Sequence, residues 1–387
     1  MRIVTLNAAE MKSFNRRRIL EHLRTQSTSR AELSRMTGLT RSAISLIVDG
    51  LLREEILLEG SEQGGRVGRK SVSLVINSLA FYSIGLTISR DSYEIGLVDF
   101  SGKIHKWVSD TFDPDIPALD TLECISSHIE QLLAAHSLPG RFLGMGITAP
   151  GPLDANCGMI LTHRNFGNWS NLRIVEFFSN RIPGTILLEN NANALALAEK
   201  TYCMKGEYDS FLELVVDTGI GAGLIISGDL YKGETGFCNE FGHTSINMNG
   251  PRCSCGNFGC AELYASIPNL LAAVQKKNPY LKSWKQVVEM ASEKNEDACA
   301  VLEEEAEYLA SIIVNAINIL DLAAVVLTGD IAYHARELNN IISSKVNERF
   351  IARGTKQIKI LSSGLEEHPV TIASANLVLE HFVKIGE

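Results

Sequence analysis

Apolar residues recur at helical spacing from early in the chain. Over Phe14–Arg24, Phe14, Ile19, Leu20 and Leu23 fall on one face, which predicts a first helix buried along that side. Ser29 followed by Glu32 has the spacing of a capping box and predicts a second helix through Met36, stopped by Gly38 in a tight turn. Thr40 caps a third, Arg41–Glu54, whose Ala43, Ile44, Ile47, Val48, Leu51 and Leu52 form the inward stripe. Ile56–Glu59 and Ser71–Ile76 read as the strands of a hairpin. Its tip is the run Gly64-Gly65-Arg66-Val67-Gly68-Arg69-Lys70. Two short helices joined by a glycine turn, with a hairpin behind them, predict a winged helix-turn-helix over residues 1–76.

The period changes after that. Phe81–Ile88, Tyr93–Asp99 and Ile104–Asp110 read as a strand meander, Leu119–His136 as a helix, and Phe142–Ile147 as a buried strand leading into Ala149-Pro150-Gly151-Pro152. Ile186–Leu188 is a strand running into Glu189-Asn190-Asn191-Ala192-Asn193 and an Ala/Leu-rich helix to Lys200. Phe211–Val216 and Ala222–Ser227 form a hairpin around Asp217-Thr218-Gly219-Ile220-Gly221. Helices follow through the 265–318 region, then strands at Ala323–Thr328 and Ile358–Ser362 and a closing helix at Ile372–Lys384. Meanders followed by alternating helices and strands, occurring twice, predict a two-lobed α/β body. The first lobe is expected over 77–194, completed by the C-terminal helix 372–387, and the second over 195–371.

Charge divides the chain in the same way. Residues 1–76 hold 13 Lys and Arg against 8 Asp and Glu, whereas the whole chain carries a net charge of −9. A basic head on an acidic body implies that only the head meets a polyanion. Arg41, Ser42 and Ser45, at the outward start of the third helix, are suited to base edges and phosphates in a major groove. Arg66, Arg69 and Lys70 on the wing tip suit a narrow minor groove. Met1–Glu10 lacks the apolar core of a signal peptide and no apolar run approaches a spanning helix. Cys124, Cys157, Cys203, Cys238 and Cys299 have no framework spacing. The expectation is a cytoplasmic protein, with reduced thiols and no membrane insertion.

The remaining cysteines are a different matter. His243 is followed by Cys253, Cys255 and Cys260, three thiols within eight residues. Three sulfurs and an imidazole make a tetrahedral zinc set with no position left for water, so the metal is expected to be structural. Glu240 and Glu262 flank this loop as acceptors for a polyhydroxyl ligand.

The segments Glu240-Phe241-Gly242-His243 and Cys253-Ser254-Cys255-Gly256-Asn257-Phe258-Gly259-Cys260-Ala261-Glu262 resemble the signature of the ROK family, which groups bacterial sugar-responsive repressors with sugar kinases. The Gly38-Leu39-Thr40 turn and the Arg66-to-Arg69 wing resemble its repressor branch. The resemblance implies an actin-like, hexokinase-type body with a ligand cleft between its lobes. It also implies structural zinc on His243 and the three cysteines, and sugar contacts from Glu240, His243 and Glu262. Asn190 and Asn191, whose amides can hydrogen-bond hydroxyls or cap the helix at Ala192, are read as further sugar contacts from their place after a strand in a polar run.

Against the family's kinases this chain departs in three places. Thr87-Ile88-Ser89-Arg90-Asp91 stands where kinases carry Asp-x-Gly-Gly-Thr. Asn191 stands at the position of the kinase base, and an amide does not remove a proton at neutral pH. The late nucleotide turn reduces to Thr328-Gly329-Asp330. No catalytic residue is therefore assigned. The expected function is a transcriptional repressor that senses a sugar or sugar phosphate and binds operator DNA as a homodimer or dimer of dimers. An active sugar kinase fused to a DNA-binding head is the alternative, and a sugar-transport protein is a further candidate partner.

Overall fold

The structure, a computed structural model, describes residues 8–63, 71–161 and 167–385. The chain divides into two compact units. One gathers the chain up to Ala194, Met204–Gly206 and the stretch from Glu367; the other takes Leu195–Cys203 and Glu207–Glu366.

In the first unit, α1 (Ala8–Thr25) precedes a two-residue strand β1 (Thr28–Ser29), α2 (Arg30–Thr37), α3 (Arg41–Arg53), β2 (Leu57–Gln63) and β3 (Ser71–Ile76). The local chemistry explains the boundaries. The Ser29 hydroxyl accepts from the Glu32 N–H at 3.3 Å, and the Thr40 hydroxyl accepts from Ala43 at 3.2 Å, each satisfying a free amide at a helix start. Gly38 closes α2 at φ 72°, a left-handed conformation that costs glycine little. Strands order as β1-β3-β2, so the hairpin gains a third strand that its sequence pattern did not reveal. Phe14 departs from expectation: it is exposed, with the Arg18 guanidinium 5.8 Å above its ring. Ala43 and Leu52 are only half-buried, and α3 is held by Ile44, Ile47, Val48 and Leu51. The wing-tip residues Arg66, Arg69 and Lys70 lie outside the described residues.

The same unit continues with β4 (Phe81–Ile88), β5 (Ser92–Asp99), β6 (Ile104–Thr111), α4 (Ala118–Ala134), β7 (Arg141–Ala149), a small hairpin β8–β9 (Leu153–Asp154, Met159–Ile160), α5 (Ile174–Ser179), β10 (Thr185–Asn190) and the start of α6 (Asn191–Ala198), which passes into the second unit at Leu195. The second unit carries a π-helical turn at Glu199–Cys203, then β11 (Phe211–Val216), β12 (Ile220–Ile226), β13 (Asp229–Leu230), α7 (Glu262–Ala265), α8 (Ile267–Val274), α9 (Trp284–Ser292), α10 (Glu296–Leu320), β14 (Ala324–Thr328), α11 (Arg336–Arg349) and β15 (Lys359–Ser362). The chain returns to the first unit as α12 (Pro369–Ile385).

The two sheets share one topology. The first orders β6-β5-β4-β7-β10 and the second β13-β12-β11-β14-β15. Each is an antiparallel three-strand meander with two further strands added parallel to its first strand. That duplication is the actin-like plan.

α12 lies almost backbone to backbone on the first sheet. A Cβ on Gly146 would stand 1.7 Å from the Ser374 carbonyl oxygen, and one on Gly85 2.0 Å from that of Thr371. The far half of α12 instead enters the core of the head, where Val378, Leu379, Phe382 and Val383 pack with Ile19, Leu20, Leu23 and Leu51. Arg24 of α1 pairs with Glu380 of α12 at 3.1 Å, both side chains more than nine-tenths buried.

The second unit is built on α10, whose Val301, Leu302, Leu309, Ile312 and Ile313 are inside. Glu305 on the same helix is fully buried, and both its carboxylate oxygens lack a hydrogen-bond partner among the described residues. Burial, with the neighbouring Glu304 charge, holds its carboxyl well above the ordinary 4.5. The folded carboxyl thus titrates above the unfolded one. Its contribution to stability is whole below about pH 4.5 and is lost as pH rises toward the folded value. Glu305→Gln is expected to raise the thermal midpoint at pH 8 and leave it nearly unchanged at pH 4.5, each kcal/mol being about 2 °C in a chain this long. Thermal scans at the two pH values check it.

Candidate functional site

The Cys/His loop begins at a 3₁₀ turn, Phe241–His243. Gly242 presses against β12: a Cβ there would meet the Ile220 carbonyl at 2.4 Å. The following loop folds on itself. Cys253 N–H donates to the Asn257 carbonyl at 2.8 Å, Ile246 N–H to Gly259 at 2.9 Å, and Ala261 N–H to Thr244 at 2.9 Å. Gly256 and Gly259 take φ 101° and 60°, turning the chain tightly between the cysteines.

The result is a single cluster of donors. One ligand atom from each of His243, Cys253, Cys255 and Cys260 lies within 4.8 Å of all the others. Cys255 and Cys260 sulfurs are 3.6 Å apart, and Cys253 Sγ is 3.7 Å from His243 Nδ1. Sulfurs at about 2.3 Å from a tetrahedral zinc stand about 3.8 Å apart, so the spacing fits such a cation. Cys253 and Cys260 are buried and Cys255 is exposed. The four residues therefore form a group able to hold a metal ion.

The two flanking glutamates are fixed in different ways. Glu262 opens α7, and its Oε2 accepts from the Ile220 N–H at 3.1 Å. A Cβ on Gly219 would come 2.8 Å from that oxygen. The glycine in Asp217-Thr218-Gly219-Ile220-Gly221 thus makes room for a carboxylate, which answers its presence without a phosphate. Displacement of water by surrounding protein raises the Glu240 carboxyl; His243 opposes the shift and Glu262 adds to it. Glu240 accordingly feels the charge of both His243 and Glu262 within the second unit.

The first unit brings different groups. Asn190 ends β10 and Asn191 begins α6. Asn190 Oδ1 accepts from the Ala192 N–H at 2.9 Å, so that oxygen is used as a cap. Its amide nitrogen faces Gly151, where a Cβ would stand 3.2 Å away. Asn191 differs: among the described residues its buried Oδ1 has no hydrogen-bond partner. A buried amide oxygen left unpaired costs about 1–3 kcal/mol, which a ligand hydroxyl would offset. Asn168 and Trp169 are both engaged within the first unit. Asn168 Nδ2 donates to the carbonyls of Asp115 and Ile116 at 2.9 Å, and Trp169 is 1% exposed, 5.5 Å from the Phe112 ring.

The late turn carries acid. Burial raises the Asp217 carboxyl, and the adjoining Asp330 adds to it through charge and a hydrogen bond. In the head, Arg41 and Ser42 are exposed on α3 and Ser45 is half-buried.

A duplicated actin-like body carrying a winged helix-turn-helix and a Cys/His cluster able to hold a metal ion defines the class. Residues 83–381 match the ROK family, and the chain belongs to it. It is 32% identical to the xylose repressor of Bacillus spizizenii over 97% of each chain. Among solved structures it is similar to a ROK family transcriptional regulator described as a homologue of the Escherichia coli Mlc protein, with TM-score 0.80, 23% identity and 97% of each chain covered. A ROK hexokinase from Thermus thermophilus aligns at TM-score 0.65 and 23% identity, over 76% of this chain and 96% of its own. The unmatched share lies with this chain, as an added head requires. Among the described residues no helix is long and apolar enough to cross a membrane.

Proposed function

We propose that this chain is a cytoplasmic, sugar-responsive transcriptional repressor with a non-catalytic sugar-kinase body. Its head binds operator DNA through Arg41, Ser42 and Ser45 in the major groove and Arg66, Arg69 and Lys70 in the minor groove. The hydroxyl-binding groups proposed for the sugar are Asn190, Asn191, Glu240, His243 and Glu262. Zinc on His243, Cys253, Cys255 and Cys260 holds the imidazole and Glu262 in fixed register. Two copies, or a dimer of dimers, present their heads to a near-palindrome. Sugar shifts the operator equilibrium only as far as it binds one conformation better than the other, and a coupling of about 1–3 kcal/mol changes affinity about 5- to 150-fold.

The observation that carries the non-catalytic reading is Asn191. An amide stands where phosphoryl transfer needs a proton acceptor, and its buried Oδ1 awaits a donor rather than giving one a base. The Asp217–Asp330 pair supports it, since paired acids repel a nucleotide's phosphates. Xylose is the first sugar to test, given the relative's name. The expected result is a thermal shift with xylose or another pentose or hexose, release of operator by that sugar, and no ADP formed from ATP. Steady ADP production with any sugar of the panel would overturn the reading.

A further inference from the structure

We propose that Leu46 is a base-reading residue: its side chain packs against the 5-methyl group of a thymine in each operator half-site. The inference rests on the operator-binding reading above and adds a specificity contact to it.

The argument starts from the outward face of α3. The helix turns Ile44, Ile47, Val48 and Leu51 inward. Ser42, Leu46, Asp49 and Arg53 lie at spacings of four, three and four on the opposite side, and all four are exposed. Leu46 is 66% exposed, a large aliphatic group among polar ones. Its neighbours on that face are occupied. The Ser42 hydroxyl lies 3.1 Å from that of Thr40, the helix cap. The Asp49 carboxylate is paired with Arg30 at 2.6 Å, and Arg53 Nε donates to the Asp49 carbonyl at 3.2 Å. The acid on this face is thereby neutralised, and Leu46 projects between a hydroxyl and an ion pair.

Leu46 occupies the second turn of α3, within the N-terminal stretch that enters a major groove in this motif. The groups on a major-groove floor are hydrogen-bond donors, acceptors and one apolar group, the thymine methyl. An uncharged aliphatic side chain has favourable business only with the last. A head-to-head protein contact would call instead for a contiguous apolar patch, and the residues beside Leu46 on this face are polar.

The test uses the full chain. Duplexes bound by it are selected from a random pool, and each thymine of the selected site is then replaced by uracil, which removes the methyl and leaves the base pair's hydrogen bonds intact. At one position per half-site, uracil is expected to weaken binding about fourfold, the worth of one methyl-sized apolar group. Leu46→Ala is expected to bind the thymine and uracil duplexes equally, with the salt dependence of wild type, because no phosphate contact is lost. Indifference of the wild-type chain to every replacement would overturn the proposal. So would a Leu46→Ala chain that keeps the full thymine preference, or one that loses cooperativity between half-sites while still preferring thymine. Failure to select any duplex would remove the operator-binding reading itself, and this proposal with it.

Discussion

A Cys255→Ser chain is expected to lose at least about 150-fold in sugar affinity while its affinity for operator DNA stays within about twofold. The size follows from what the metal would hold. His243 is at once a candidate zinc ligand and a sugar contact, and Glu262 follows the ligand Cys260 by two residues. Charge-assisted hydrogen bonds contribute about 1.5–3 kcal/mol each, so releasing both groups costs two such bonds to a sugar. Cys255 is the right residue to change because it is exposed, whereas Cys253 and Cys260 are buried and their loss would also disturb packing. The selectivity follows from chain organisation. The head core of Leu20, Leu33, Ile44 and Leu51 belongs to the first compact unit, and the Cys/His loop belongs to the second. Calorimetry with xylose and a parallel operator titration check the two halves. Unchanged sugar binding by the variant would show that the metal does not position these groups.

This Cys/His group, able to hold a metal ion, was legible in the sequence because it is local. All four donors fall within eighteen residues, and their spacing alone constrains how the backbone folds around a small ion. The helix α3 was legible for a similar reason, since period 3.6 is imposed by burying one side of a regular element, whereas β4, buried at all eight positions, was legible as a short apolar run bounded by turns. What packs on that side leaves no such trace. Phe14 fits the stripe of α1 and yet faces solvent, because the inward arc of that helix is set by α12, more than 350 residues away in the chain. The match between the two sheets is likewise a matter of strand pairing, visible as order and register and not as repeated residues. Trp169 and Asn168 sit beside polar residues in sequence but are turned into the first unit, one against Phe112 and the other onto backbone carbonyls. The polar groups of the site itself were readable by type. Asn190 shows the limit: the residue type announced a hydrogen-bonding group, and only the structure shows its oxygen committed to a helix cap.

Arg24→Ala is expected to destabilise the chain by about 3–5 kcal/mol, the usual result of leaving one member of a buried ion pair alone. Arg24 and Glu380 are 3.1 Å apart with side-chain exposures of 7% and 4%. The guanidinium also donates to Asn376 Oδ1 at 3.3 Å and lies 4.8 Å above the Phe100 ring. One arginine of the head is thus tied to two positions on α12 and to the body. The other half of α12 is clamped to the first sheet through the glycines at 85 and 146, and the helix starts just after the chain returns from the second unit. Any shift of α12 must then move α1, because a packed core has discrete arrangements and does not stretch. Loosening the joint is therefore expected to reduce the sugar-induced change in operator affinity to below about twofold, against the 5- to 150-fold that typical couplings give. Arg24→Met with Glu380→Leu removes both charges together and is expected to recover most of the stability, since a buried pair is replaced by apolar side chains of similar bulk. Denaturant midpoints measure the first effect, and operator titrations with and without xylose measure the second. A single variant that is destabilised but keeps the full sugar response would place the coupling in some element other than α12.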